Sequence, residues 1–106
     1  MTNFTEITAE QTMIPELLDR FRAGDEQAAE QLYAIVRKEF KPLLVKKAGS
    51  NWEDALQDVC LRLLEIIPQK RFLGPKQFLS YAHRTALTVC RPWTRRARRQ
   101  RKEKQI

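Results

Sequence analysis

Cationic, aromatic and hydrogen-bonding side chains form a stripe in the last third of the sequence. They recur every three or four residues, which is the spacing of one face of an α-helix. Arginines can neutralise phosphates, whereas glutamine, threonine and an aromatic ring can hydrogen-bond to bases or stack on them. The combination therefore favours a nucleic acid over a membrane or an acidic protein. The stripe comprises Gln77, Tyr81, Arg84, Thr88, Arg91 and Arg95.

The segment before this stripe, PQKRFLGP at residues 68–75, is predicted to be a basic loop bracketed by prolines. It contains Lys70, Arg71 and Phe72, and Lys76 follows directly. An aromatic ring among cations favours unpaired bases, whose faces are free for stacking. In the alternative interpretation, Phe72 and Tyr81 only close the edge of the core.

A different chemistry is expected on a helix that the sequence predicts from about Trp52 to Ile67. The side of this helix opposite its apolar face collects two carboxylates, an amide and two leucines. Association between proteins usually needs an apolar centre with a polar rim, so this side is a candidate docking patch. The alternative is that isolated surface leucines are ordinary. The patch comprises Asp54, Gln57, Asp58, Leu61 and Leu64.

No set of residues suggests catalysis or metal binding. His83 is the only histidine, no Asp or Glu lies near it in sequence, and no glycine-rich phosphate loop or nucleophile motif is present. Cys60 and Cys90 stand far apart in apolar surroundings, which predicts small core residues in a reducing cytosol. We therefore expect no enzyme, no metal and no cofactor.

The sequence also predicts a cytoplasmic protein with no membrane partner. The N-terminal stretch MTNFTEITAE carries acidic residues and no basic flank before an apolar block, so no signal peptide is expected. The longest unbroken apolar run, from Leu32 to Val36, is too short to span a bilayer.

Helical periodicity dominates, and strand signals are almost absent. We expect an all-α fold, a compact bundle of about four helices with a basic C-terminal tail. Gly24 should end the first helix and Asp25 should cap the second, in which Pro42 should force a kink or a fresh start. Ser50 and Glu53 fit a capping box for the third helix. Pro75 suits the first turn of the fourth helix, which should reach at least Cys90.

Charge is distributed unevenly along the expected domains. These are an N-terminal lead at 1–13, a helical domain at 14–95 and a basic tail or linker stub at 96–106. The full chain has a net charge of +7. Residues 1–65 hold eight basic and twelve acidic side chains, whereas residues 66–106 hold twelve basic and one acidic side chain. Two surfaces with different partners are therefore expected, the second partner being a polyanion.

Three stretches, taken in order, resemble one family. They are LLDRFRAGDEQAAEQLY, WEDALQDVCLRLLE and FLSYAHRTALTVCRPWTRRARR. The patterns GD-x-x-A-x-x-x-L-Y and ED-x-x-Q-[DE]-V-x-L-R-L are each fairly specific. Over about residues 14–98, the chain resembles region 2 of sigma-70-type RNA polymerase sigma factors, especially the extracytoplasmic-function group of bacteria.

The resemblance implies a bundle of the sigma region 2 type and a partner for each charged half. In the family, positions matching Asp54, Gln57 and Asp58 dock on the clamp helices of the polymerase β′ subunit. The loop and helix that match Pro68 to Arg95 hold the melted non-template strand of the promoter minus-ten element and capture a flipped base. The implied function is a transcription initiation factor without catalytic activity. An anti-sigma factor is a further candidate partner.

Several positions depart from the family pattern. Tyr81 stands where Trp is usual, Thr88 where Asn is common, Cys60 where Phe is common and Pro92 where Asp is usual. Pro92 should bend or end the fourth helix, which would displace Arg95. No stretch matching the family's second DNA-binding region, region 4, follows. The chain is thus expected to be a fragment or a protein that works with region 2 alone, beside a separate region 4 subunit.

Two other functions remain open. The first is a nucleic-acid-binding regulator that has kept the fold and lost initiation, which Pro92 and the missing second region favour. The second is a protein-interaction module that sequesters a partner through Leu61 and Leu64, with the basic tail aiding solubility.

Overall fold

Three long helices and one shorter helix make up the chain in the computed structural model, which describes the backbone of residues 6–104 and the side chains of residues 6–95. No strand occurs in that part, so the predicted all-α class is confirmed. Residues 1–5 of the predicted lead, and the side chains of the predicted tail, lie outside the described residues. The helices are α1 (Ile14–Arg22), α2 (Glu26–Ala48), α3 (Trp52–Ile66) and α4 (Pro75–Lys104), with 3-10 turns at Gln11–Met13 and Gly49–Asn51.

The turn between α1 and α2 forms as predicted. Gly24 has a φ of +94°, a left-handed conformation that glycine adopts without strain, and α1 ends just before it. The Asp25 carboxylate then accepts a hydrogen bond from the Gln27 amide at 2.9 Å, which caps α2. Arg20 reaches the same carboxylate, with an N–O distance of 2.7 Å. The hydrogen bond from Arg20, with help from the backbone amides, lowers the pKa of Asp25 below its ordinary value of 3.8.

The lowered pKa of Asp25 makes part of the stability depend on pH. A carboxyl group with a depressed folded-state pKa stabilises the fold above its ordinary pKa, and this contribution is lost as the pH falls through the folded-state value. Asp25→Asn keeps a side-chain cap and removes the ion pair. We expect the variant to melt below the wild type at neutral pH, and the difference to shrink below pH 3.8. Thermal melts across this range measure the effect.

Glu26→Gln is the matched control, because Glu26 is an exposed acid in the same first turn with no ion pair among the described residues. A wild-type advantage over Asp25→Asn that stays constant from neutral to acid pH would contradict this account.

Two prolines lie inside helices that the sequence analysis expected them to interrupt. α2 continues through Pro42, so a fresh start there was wrong. α4 continues through Pro92 to Lys104, so an end at Pro92 was wrong too. Just beyond Pro92, the Thr94 hydroxyl contacts the carbonyl oxygens of Cys90 at 3.0 Å and Lys47 at 3.1 Å. This contact ties α4 to the end of α2 just beyond Pro92.

The predicted capping box at the start of α3 is also wrong. The residue before α3 is Asn51, which makes no side-chain capping bond, and Ser50 lies in the preceding 3-10 turn. A reciprocal pair of this kind forms instead between Thr8 and Gln11, where each side chain accepts the other's backbone N–H at 3.2 Å. The buried Gln11 amide also donates to Glu39 on α2 at 2.8 Å, which fastens the segment before α1 to the bundle.

The core lies where all four helices meet. Phe78 and Leu79 of α4 are fully enclosed, as are Leu44 of α2 and Leu56 of α3. The predicted core positions of Cys60 and Cys90 are confirmed, and both thiols are free. Burial raises the pKa of the Cys60 thiol to about 11, which keeps it protonated and unreactive at neutral pH. In the described part of the chain, no helix is long and apolar enough to cross a membrane.

Candidate nucleic-acid interface

The loop between α3 and α4 is held in place by hydrogen bonds from a residue that was not predicted to have a role. Arg22, at the end of α1, donates from Nε to the Ile67 carbonyl at 3.2 Å and from Nη2 to the Lys70 carbonyl at 2.9 Å. Its other Nη donates to Asp19 at 3.1 Å, which orients the guanidinium. Arg22 therefore positions the basic loop. No sequence signal distinguishes it from other surface arginines.

Lys70, Phe72 and Tyr81 come together at the start of α4, and we call them the Lys70 cluster. The Phe72 ring packs edge-on against Tyr81 at a centroid distance of 5.6 Å and against the buried Phe78 at 5.3 Å. Lys70 Nζ lies 4.6 Å from the centroid of Tyr81 and 5.8 Å from that of Phe72. Both rings pack against the core yet remain partly exposed. They can close the core and still offer a surface for stacking.

The remaining predicted loop residues differ in how available they are. Arg71 and Lys76 are exposed. The Gln77 side-chain oxygen accepts the backbone N–H of Leu73, so this oxygen closes the loop. Leu73 itself is 95% exposed, which the sequence analysis did not anticipate.

A groove of about 330 Å³, here the α3–α4 groove, continues from Tyr81 along α4. The predicted residues Arg84 and Thr88 line it, and Arg62 of α3, which was not predicted, forms the opposite side. The Thr88 hydroxyl donates to the Arg84 carbonyl at 3.1 Å, so its oxygen remains available to accept a bond. The groove brings two guanidinium groups beside an aromatic ring.

A second groove, here the α2–α4 groove, has a volume of about 320 Å³. Arg91 and Arg95 line it together with Lys47 from the end of α2. Lys47 belongs to the half of the sequence with a net negative charge. The separation of charge along the sequence is therefore not complete in space, because α2 brings one of its cations, Lys47, to α4.

The predicted docking patch lies on the exposed side of α3. Asp54, Gln57 and Asp58 are exposed, and Leu61 is 59% exposed. Leu64 is only partly exposed and packs against the core, so Leu61 alone supplies the apolar centre of the patch.

Among the residues that the structure describes, no three His, Cys, Asp or Glu side chains are placed to hold a metal ion. His83 lies near Phe40, with ring centroids 6.1 Å apart.

Comparison with known proteins adds no relative. No protein-family model matches the chain, and no curated protein or solved structure matches it either. Function is therefore inferred from the motifs and from the surfaces described above.

Proposed function

We propose that the chain is a transcription initiation factor of the sigma region 2 type, with about four helices forming its bundle. It binds core RNA polymerase, recognises the promoter minus-ten element and opens it without catalytic chemistry. The observation that carries the proposal is the pairing of two unlike surfaces. The acidic, exposed side of α3 lies next to the cationic and aromatic surface formed by the loop and α4.

The exposed side of α3 would dock on the β′ clamp helices. Asp54, Gln57 and Asp58 are free of ion pairs within the described residues, so their polar atoms can meet a partner without breaking internal bonds. Leu61 would supply apolar contact at the centre, with the polar groups as its rim.

The Lys70 cluster and the α3–α4 groove would hold the non-template strand. A base leaving the helical stack would lie against Tyr81 or Phe72, and Arg62 and Arg84 would neutralise the flanking phosphates. Unstacking a base costs a few kcal/mol. Binding of the extruded bases offsets this cost, so strand opening is driven by binding energy.

The docking assignment is tested by Asp54→Ala combined with Gln57→Ala. We expect the double variant to lose retention on immobilised core polymerase, because both polar contacts are removed from the exposed side of α3. Glu30→Ala combined with Gln31→Ala is the matched control, since it removes an exposed acid and amide from α2. Unchanged retention of the α3 variant would overturn the docking assignment.

One observation favours a second candidate function. Cations line both the α3–α4 groove and the α2–α4 groove, and such surfaces would also serve a regulator that binds nucleic acid without initiating transcription. Promoter-dependent run-off transcription with core polymerase separates the two. An initiation factor yields a transcript, whereas the regulator binds DNA and yields none.

A further inference from the structure

A third groove lies on α2, away from the residues assigned above, and we call it the α2 groove. Its volume is about 540 Å³. Three cations and an exposed tyrosine share this face because they follow helical spacing, and Ala34 leaves room between them. The lining residues are Tyr33, Ala34, Arg37, Lys38, Lys41 and Pro42.

Two of these cations lie near the ring of Trp52, the first residue of α3. Arg37 Cζ lies 5.5 Å from the centroid of the Trp52 ring, and Lys41 Nζ lies 5.0 Å from it. Neither cation forms an ion pair with any residue that the structure describes, and Lys38 has only a 3.7 Å contact with Glu10. The two charges near one ring repel each other, and a bound anion would relieve that repulsion.

We propose that the α2 groove binds the phosphodiester backbone of a nucleic-acid strand, as a surface additional to the Lys70 cluster and α4. A guanidinium and two ammonium groups within five residues can contact successive phosphates, and the exposed Tyr33 ring offers a face on which a base can stack. An acidic protein fits less well, because charged residues are depleted at the centres of protein interfaces and three cations line this groove.

This inference does not depend on binding to polymerase or on promoter sequence. It requires only phosphate contacts, so it predicts a contribution to affinity for any single strand. The salt dependence of binding isolates that contribution, since each phosphate contact on single-stranded DNA changes the slope of log K against log salt by about 0.7.

The test replaces Arg37, Lys38 and Lys41 together by glutamine, which keeps much of each side-chain stem. Binding of a fluorescent single-stranded oligonucleotide is followed by anisotropy between 50 and 200 mM salt. We expect the slope of log K against log salt to be shallower by about 2 in the triple variant. Between 50 and 200 mM salt, the wild type should therefore lose about twentyfold more affinity than the variant. Lys41→Gln alone should make this slope shallower by about 0.7. Lys46→Gln should leave the slope unchanged, because Lys46 is an exposed lysine of the same helix that lies outside the groove.

A second measurement uses the wild type and so remains decisive if the triple variant does not fold. Acylation of lysines with and without the oligonucleotide should show protection of Lys38 and Lys41, with Lys46 as the unprotected reference. An unchanged slope in a folded triple variant would overturn the inference. So would an oligonucleotide that protects Lys38 and Lys41 from acylation no more than it protects Lys46. Protection by poly-glutamate but not by the oligonucleotide would also overturn it, in favour of an acidic protein partner.

The outcomes for this groove and for the proposed function are distinguishable. If variants of the Lys70 cluster weaken binding and the triple variant does not, only the α2 groove is excluded. If the triple variant alone weakens binding, the α2 groove stands and strand capture by the Lys70 cluster fails.

Discussion

Phe78→Ala is expected to lower the free energy of unfolding by about 3–5 kcal/mol. The Phe78 side chain is 1% exposed, lies among residues of α2 and α3, and supports the edge of the Phe72 ring. Removing the ring leaves a cavity in the core. Because domains of this size are stable by only about 5–15 kcal/mol, the substitution should remove a large share of the stability.

Urea denaturation followed by circular dichroism measures this loss. Leu73→Ala is the control, since Leu73 is also a large apolar residue of this region but is 95% exposed. The control should change the free energy of unfolding by no more than about 0.5 kcal/mol. A Phe78→Ala variant as stable as the control would show that the described core does not hold the fold together.

Tyr81→Ala is expected to weaken binding of single-stranded DNA by about 5- to 150-fold, because stacking of one base on an aromatic ring contributes about 1–3 kcal/mol. Tyr81 also contacts Lys70, with 4.6 Å between the ammonium group and the ring centroid, so the substitution frees this cation to move. Anisotropy titrations at fixed salt measure the change.

Tyr81→Phe is the matched control, because it retains the ring and removes only the hydroxyl. It should bind single strands nearly as well as the wild type. Titrations with duplex DNA, in which base faces are covered, should show a smaller loss for Tyr81→Ala. If single-stranded and duplex DNA lose affinity equally, with the fold intact, Tyr81 does not act by stacking on unpaired bases; if neither loses affinity, Tyr81 serves only to close the core.

The sequence predicted where helices begin and end when a single residue decides the backbone conformation. Gly24 ends α1 because few residues other than glycine adopt its backbone angles, and Asp25 caps α2 through its own side chain. Pro75 begins α4 for a similar reason, since its ring restricts the backbone and lacks a donor that the first turn does not need.

Signals that depend on distant partners were less informative. The pattern at Ser50 and Glu53 fits a capping box, but a box of that pattern forms at Thr8 and Gln11, where Glu39 of another helix adds a bond. Likewise, Pro92 carries a strong local signal to end a helix, and the Thr94 contact with the Lys47 carbonyl supports the chain beyond it. Neither contact can be inferred from spacing along the chain.

The surfaces were predicted in part for the same physical reason. Helical spacing correctly grouped Tyr81, Arg84 and Thr88 on one side of α4. It gave no indication of Arg62 or Lys47, because these cations reach the grooves from neighbouring helices. The packing of Leu64 against the core was missed because the width of the apolar face depends on how closely α2 packs against α3.

The position of Arg62 has a thermodynamic consequence. Arg62 lines the α3–α4 groove, and Asp58 is exposed one helical turn before it on the same 15-residue helix. Ligands bound at these two places would be joined by a rigid rod rather than by a flexible linker. Once one ligand is bound, a second that is attached to it meets its own site at a high effective concentration, without the entropy cost of restraining a linker.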